Sequence, residues 1–212
     1  MTEIRSVSDF NKISLSDNVN LVLTQDIVNS IKVKAGEHII DNIETSIEDH
    51  ELHIANYNTC NWMRSFKREI IVYVGVKNLN EIEYRGSGDI TSTNTITGDS
   101  LKLQIWDGAG KIDMNVDVRK NTIYFHIGTA DVFYQGFAHL SYVSSASFGL
   151  IDARELNTTF TYIGSTGSNN CFVNSNFVLE ATISSIGNIY YFGDPEIKLT
   201  GGGTGQLIKY SE

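Results

Sequence analysis

Gly86-Ser87-Gly88-Asp89-Ile90 decides the fold, because the phrase recurs along the chain. Small-x-Gly-x-aliphatic returns as Gly108-Ala109-Gly110-Lys111-Ile112 and, altered, as Gly128-Thr129-Ala130-Asp131-Val132 and Ser147-Phe148-Gly149-Leu150-Ile151. It is clear again at Ser185-Ile186-Gly187-Asn188-Ile189 and Gly203-Thr204-Gly205-Gln206-Leu207. The third residue of each copy falls at 88, 110, 130, 149, 187 and 205, giving steps of 22, 20, 19, 38 and 18. The long step spans a blurred copy near Thr166-Gly167-Ser168, whose register reads on Gly167 or Ser168, with a bulge or one inserted residue. A period of about 20 residues in a β-rich chain marks a solenoid, in which each repeat is one coil stacked on the last.

The stacking predicts a role for each position of the phrase, because equivalent residues of successive coils lie about 4.8 Å apart. The closing aliphatics, Ile90, Ile112, Val132, Ile151, Ile189 and Leu207, form an inward column. The opening small residues allow a sharp corner, with positive φ where glycine stands. The marked glycine does the same, or lets one backbone approach another. The residues after the mark, Asp89, Lys111, Asp131, Leu150, Asn188 and Gln206, face solvent. Asp89, Lys111 and Asp131 are expected to stack with alternating charge, and the amides to extend a polar ladder.

Elsewhere the apolar residues alternate with period two, as in Val19-Asn20-Leu21-Val22-Leu23, Leu52-His53-Ile54 and Leu101-Lys102-Leu103-Gln104-Ile105, which is the strand signal. Ile40, Ile43 and Ile47 have helical spacing, but their β-branching argues for strand or a short turn. The single proline, Pro195, follows Gly193-Asp194 and marks a turn between strands. Residues 1–80 are less regular and are interrupted by a surface loop near 56–68. Residues 81–209 carry the Gly-marked coils. No linker separates the two, so the expectation is a single β-solenoid domain over 1–212, with coils of 18–22 residues.

Composition narrows the function. The chain has 212 residues, 41% of them hydrophobic, enough for a large core. Its net charge is −9, from 25 acidic and 16 basic residues, which argues against nucleic acid or an anionic membrane as partner. No apolar stretch approaches transmembrane length, and no apolar region follows Met1-Thr2-Glu3-Ile4-Arg5. The chain is therefore either cytoplasmic or stripped of a leader. Cys60 and Cys171 lack zinc-site spacing; a disulfide between them and two unpaired thiols both stay open. The histidines, His38, His50, His53, His126 and His139, show no ligand spacing. Gly201-Gly202-Gly203-Thr204-Gly205 lacks the Lys and helix of a phosphate loop.

The phrase at 86–90, preceded by Leu79-Asn80-Glu81-Ile82, resembles the hallmark of the family called "putative auto-transporter adhesin, head GIN domain". The opening Val7-Ser8-Asp9-Phe10-Asn11-Lys12-Ile13 is similar to the family's start. So are Val19–Gln25, Leu52-His53-Ile54 and the stretch Gly187–Pro195, so the resemblance covers nearly the whole chain. It implies a right-handed, single-stranded parallel β-helix, exported from Bacteroidetes-like bacteria behind a signal or lipoprotein leader. It carries over no catalytic residue, cofactor or metal. Ala130 and the corner at 166–170 depart from the family pattern.

Three functions follow as expectations. The first is a non-enzymatic, periplasmic or cell-surface adhesion module that binds a carbohydrate or a protein, with Trp106, Tyr124, Tyr134, Tyr142, Tyr162, Tyr190 and Tyr191 as candidate ring platforms. Each ring has an alternative as core or cross-strand packing. The second is a polysaccharide lyase or hydrolase using Asp113, Asp131, Asp152 and Arg154. Asp113 and Asp152 share a column with Phe133 between them, about 9–10 Å apart, which is not a tight pair. No catalytic, cofactor or metal site is therefore expected. The third is an envelope scaffold. The solenoid ends must be capped, by the N-terminal strands or by Leu207-Ile208-Lys209-Tyr210, or else pair into homo-oligomers.

Overall fold

Alternation puts every second side chain inside a coil, and the coils stack. The computed structural model describes residues 1–58 and 69–210. The first strands are β1 (Thr2–Arg5), β2 (Lys12–Asp17), β3 (Asn20–Gln25), β4 (Ser30–Lys34), β5 (Ile43–Glu48), β6 (Glu51–Asn56) and β7 (Ile71–Val76). They are followed by β8 (Glu81–Gly86), β9 (Ile90–Ser92), β10 (Ile96–Gly108), β11 (Lys111–Gly128) and β12 (Asp131–Ser145). The last are β13 (Ile151–Ser165), β14 (Cys171–Ile183), β15 (Ile189–Phe192), β16 (Glu196–Thr200) and β17 (Leu207–Lys209). All join one hydrogen-bonded ladder, a parallel β-solenoid of about six turns.

Two aliphatic columns run through the core. One runs Val72, Leu21, Ile90, Ile112, Val132, Ile151, Cys171, Ile189, Leu207. The other runs Leu52, Ile13, Ile82, Leu103, Ile123, Val143, Ile163, Ala181, Leu199. The blurred copy is resolved by Cys171, which makes Asn169 the marked residue, neither Gly167 nor Ser168. No residue is inserted at that corner. Gly167 belongs to the opening column, above Ser147. The side-chain amide of Asn169 donates to Phe148 O at 2.8 Å.

The glycines serve close approach more than unusual torsion. Among the phrase glycines only Gly128 has positive φ (132°). A Cβ on Gly110 would meet the Gly88 carbonyl, and one on Gly149 the Ala130 carbonyl. Beneath the first corner the buried Tyr84 hydroxyl donates to Gly88 O (2.7 Å) and accepts from Gly110 N (2.9 Å).

The residues after the mark do form a ladder, but not by alternating charge. Asp89 Oδ1 accepts from Lys111 N (2.8 Å), Asp131 Oδ1 from Leu150 N (3.1 Å), and Asn188 Oδ1 from Gln206 N (2.9 Å). Each side chain thus satisfies a backbone donor that the corner takes out of the sheet. The Lys111 ammonium turns instead to Asp113, at 2.7 Å.

The N-terminal third departs from chain order. The coil β2–β3 lies between β6–β7 and β8–β9: Ile13 pairs with both Leu52 and Ile82, and Leu21 with both Val72 and Ile90. Beyond β6–β7 the ladder turns antiparallel, with β5 on β6, β4 on β7 and β1 on β4. Ile40–Asn42 is a short 3-10 turn leading into β5. The Arg5 guanidinium latches β1 across this end, donating to Thr45 Oγ1 (2.9 Å), to Ile40 O (3.0 Å) and to Ile43 O. The N-terminal strands are thus the cap at one end. The tail is not a cap: β17 is the last half-coil, parallel to β15. Most of the expected loop, 59–68, and Cys60 lie outside the described residues.

Cys171 sits fully buried in the aliphatic column, and burial pushes its thiol up to about 11 from 9.0, with Ser145 pulling the other way. A pKa raised by folding leaves its stability contribution intact below about pH 9 and removes it as pH rises toward 11. Replacing Cys171 by valine should therefore flatten the fall in urea midpoint between pH 8 and 10.5. An unchanged slope would remove Cys171 as its source.

Candidate functional site

Outward-facing residues stack as the core does. On the face formed by β11 to β15 the column reads Asp113, Phe133, Asp152, Phe172, Tyr190, one residue per coil. β13 breaks the regular ladder here. Phe133 pairs with Asp152 but Gln135 with Glu155, and Ala153 pairs with Val173 but Asn157 with Asn174. Arg154, Glu155 and Leu156 therefore bulge from the β14 side of the sheet. Asn174 pins the bulge, its amide donating to Arg154 O at 3.0 Å. Bulges re-aim side chains and cluster at functional sites.

The bulge opens a groove of about 460 Å³ bordered by Asp113, Phe133, Gln135, Asp152, Arg154 and Glu155. Arg154 Nε lies 2.8 Å from Asp152 Oδ1, and its guanidinium lies 4.5 Å from the Phe172 ring centre and 6.0 Å from that of Phe192. The Asp152 hydrogen bond raises the Arg154 pKa above its ordinary value. At the other end Lys111 bridges Asp113 and sits 4.7 Å above Phe133. The groove thus has two fixed ion pairs, each against an aromatic ring, with the exposed Gln135 and Glu155 between them.

The structure brings Asp113, Asp152 and Arg154 together and leaves Asp131 out, because Asp131 caps the corner through Leu150 N. Asp113 and Asp152 are two coils apart, about 9.6 Å by strand spacing. Each is already held by a cation of its own strand. Among the described residues, no group of three or more His, Cys, Asp and Glu is arranged to hold a metal ion.

The seven candidate rings do not share a face. Tyr134 and Tyr191 point inward and are buried. Tyr134 lacks a hydroxyl partner, and burial raises its pKa. The outward rings stack mainly on one another: Trp106 on His126 at 3.6 Å, Tyr142 on Tyr162 at 5.1 Å, and Phe172 on Tyr190 at 4.9 Å. Burial, then the Arg85 charge, lowers the His126 pKa. Rings in such a ladder give their faces to each other and their edges to water, so they are cross-coil packing more than open platforms. Tyr124 is the candidate ring left most open, at 38% exposure. Phe133, Gln135 and Glu155 emerge as groove residues only when the coils are superposed. The column period signals Phe133, whereas the bulge that presents Glu155 has no local sequence mark.

The parallel β-solenoid agrees with the comparisons with known proteins. The family described as "putative auto-transporter adhesin, head GIN domain" matches residues 9–195, and the chain belongs to it. A solved structure of a putative adhesin from Bacteroides fragilis is similar, with 24% identity, 99% of this chain and 96% of that one covered, and a TM-score of 0.89. A putative lipid binding protein from Parabacteroides distasonis has 18% identity, coverage of 100% and 96%, and a TM-score of 0.73. A putative adhesin from Parabacteroides merdae has 18% identity, the same coverage and a TM-score of 0.66. At these identities the likeness concerns the fold. No curated protein matches the sequence. No helix among the described residues is long and apolar enough to cross a membrane.

Proposed function

We propose that the protein is a non-catalytic adhesion module, exported to the periplasm or cell surface, that binds a glycan in the β11–β15 groove. The observation that carries this reading is the bulge at Arg154–Leu156, which interrupts an otherwise regular ladder where carboxylates, an amide and a guanidinium converge. Hydroxyl-rich chains suit such groups, since each hydroxyl both donates and accepts. The two ion pairs cancel and Glu155 adds a negative charge, which favours a neutral glycan over a strongly acidic one. Membership of an adhesin family supports the same role.

A glycan array with the purified chain tests the proposal, using Gln135→Ala with Glu155→Ala as the first variant and Arg154→Ala as the second. Gln135 and Glu155 are exposed, so their removal leaves the fold in place. Loss of hydrogen bonds to charged groups should weaken binding about tenfold or more. Binding that survives both variants, or that is lost equally in Arg119→Ala on another part of the surface, would remove the groove as its seat. Release of cleaved product would replace adhesion with catalysis.

A further inference from the structure

The two ends of the solenoid are built differently. At the N-terminal end the antiparallel strands β1, β4 and β5, latched by Arg5, close the stack. At the other end, among the described residues, β16 pairs only with β14, β17 pairs only with β15, and all five residues of β16 are exposed. The core runs straight out of this end. Leu179 and Ala181 are buried to 0% and 1% exposure, yet the residues stacked on them, Ile197 and Leu199, are 42% and 53% exposed. A bare core end beside a free strand edge is a template for another strand.

We infer that this end is an interface between two copies of the chain, joined about a two-fold axis with β16 antiparallel to β16. The N-terminal end cannot serve as partner in a head-to-tail stack, because its own strands already cover the core there. Among the described residues, the bare core that can cover Ile197 and Leu199 is the same end of a second copy, and such self-complementary contacts close as dimers. The charges select the register. Centring the pair on Lys198 sets two lysines directly opposite, which is unfavourable. Centring it on Ile197 sets Glu196 opposite the partner's Lys198 and Lys198 opposite the partner's Glu196. It also places Leu199 against the partner's Pro195 and joins the two Ile197 side chains. The resulting rod carries two copies of the groove, and their linkage multiplies avidity for a repeating ligand.

Sedimentation equilibrium of the purified chain, with no glycan present, tests this apart from the adhesion reading. A dimer is expected. Leu199→Lys should yield a folded monomer, as should Glu196→Lys and Lys198→Glu separately, each with association weakened at least tenfold and an unchanged far-ultraviolet spectrum. Mixing these two single charge variants should restore a one-to-one dimer, because each then offers the charge that the other lacks. A monomeric wild type, growth beyond dimer with concentration, or failure of the mixed variants to associate would each overturn the inference.

Discussion

Gly149→Ala is expected to lower the unfolding free energy by about 3 kcal/mol, at the upper part of the range for forcing an atom into a packed interior. A Cβ at this position lands on the carbonyl oxygen of Ala130 in the coil below, and the Phe125 ring crowds it from the side. Neither neighbour can retreat. Phe125 is 1% exposed, and the Ala130 amide is tied to Gly108 O at 2.9 Å. Gly164→Val adds more atoms and should cost nothing, because no heavy atom lies within 4 Å of where its Cβ would sit. Valine there favours the strand and narrows the unfolded ensemble. In a chain of this size, about 3 kcal/mol corresponds to a fall of about 6–12 °C in melting temperature. Urea and thermal unfolding of both variants decide the matter. Equal shifts would show that glycine at the marked position is not held by coil-to-coil contact.

That contrast also explains how much of the fold was legible in the sequence. The column Ile90, Ile112, Val132, Ile151, Ile189, Leu207 was readable because one steric demand recurs at each corner and leaves a small residue beside an aliphatic. The copy at Asn169 was not, because Gly167 satisfies the opening position and an asparagine fills the marked one; only the pairing of Cys171 with Ile151 and Ile189 fixes the register. The groove was half legible. Asp113 and Asp152 share a column that the period predicts, and Arg154 follows Asp152 on the same strand. Asp131, which the sequence groups with them, instead accepts from Leu150 N at the corner. The bulge that admits Glu155 depends on where β14 resumes pairing, a relation between residues about 20 apart that no local pattern records.

The order of the first coils left no trace in the sequence either, because backbone hydrogen bonds carry no label of which strand they join. Its consequence is the second large effect: a chain beginning at Ser30 should lose cooperative unfolding, whereas one ending at Asp194 should keep it with a lower midpoint. The first truncation removes β1 with its Arg5 latch as well as β2 and β3, and with the last two Ile13, Leu15, Val19, Leu21 and Leu23, all at most 1% exposed. It also strands their neighbours. β6 keeps only β5 and β7 keeps only β4, so the cap separates from the body, and Ile82, Tyr84 and Ile90 lose their covering coil. The second truncation removes β16 and β17, which each have a single neighbour among the described residues and lie on the open end. Calorimetry and dye binding to exposed apolar surface distinguish the outcomes; a single sharp transition in the chain starting at Ser30 would contradict the insertion. The same insertion orders the folding reaction. Leu21 meets Ile90 across 69 residues, and both neighbours of the β2–β3 coil lie downstream of it. That coil cannot be seated until later strands exist to receive it, and closing so long a loop before any contact rewards it makes this the slow step.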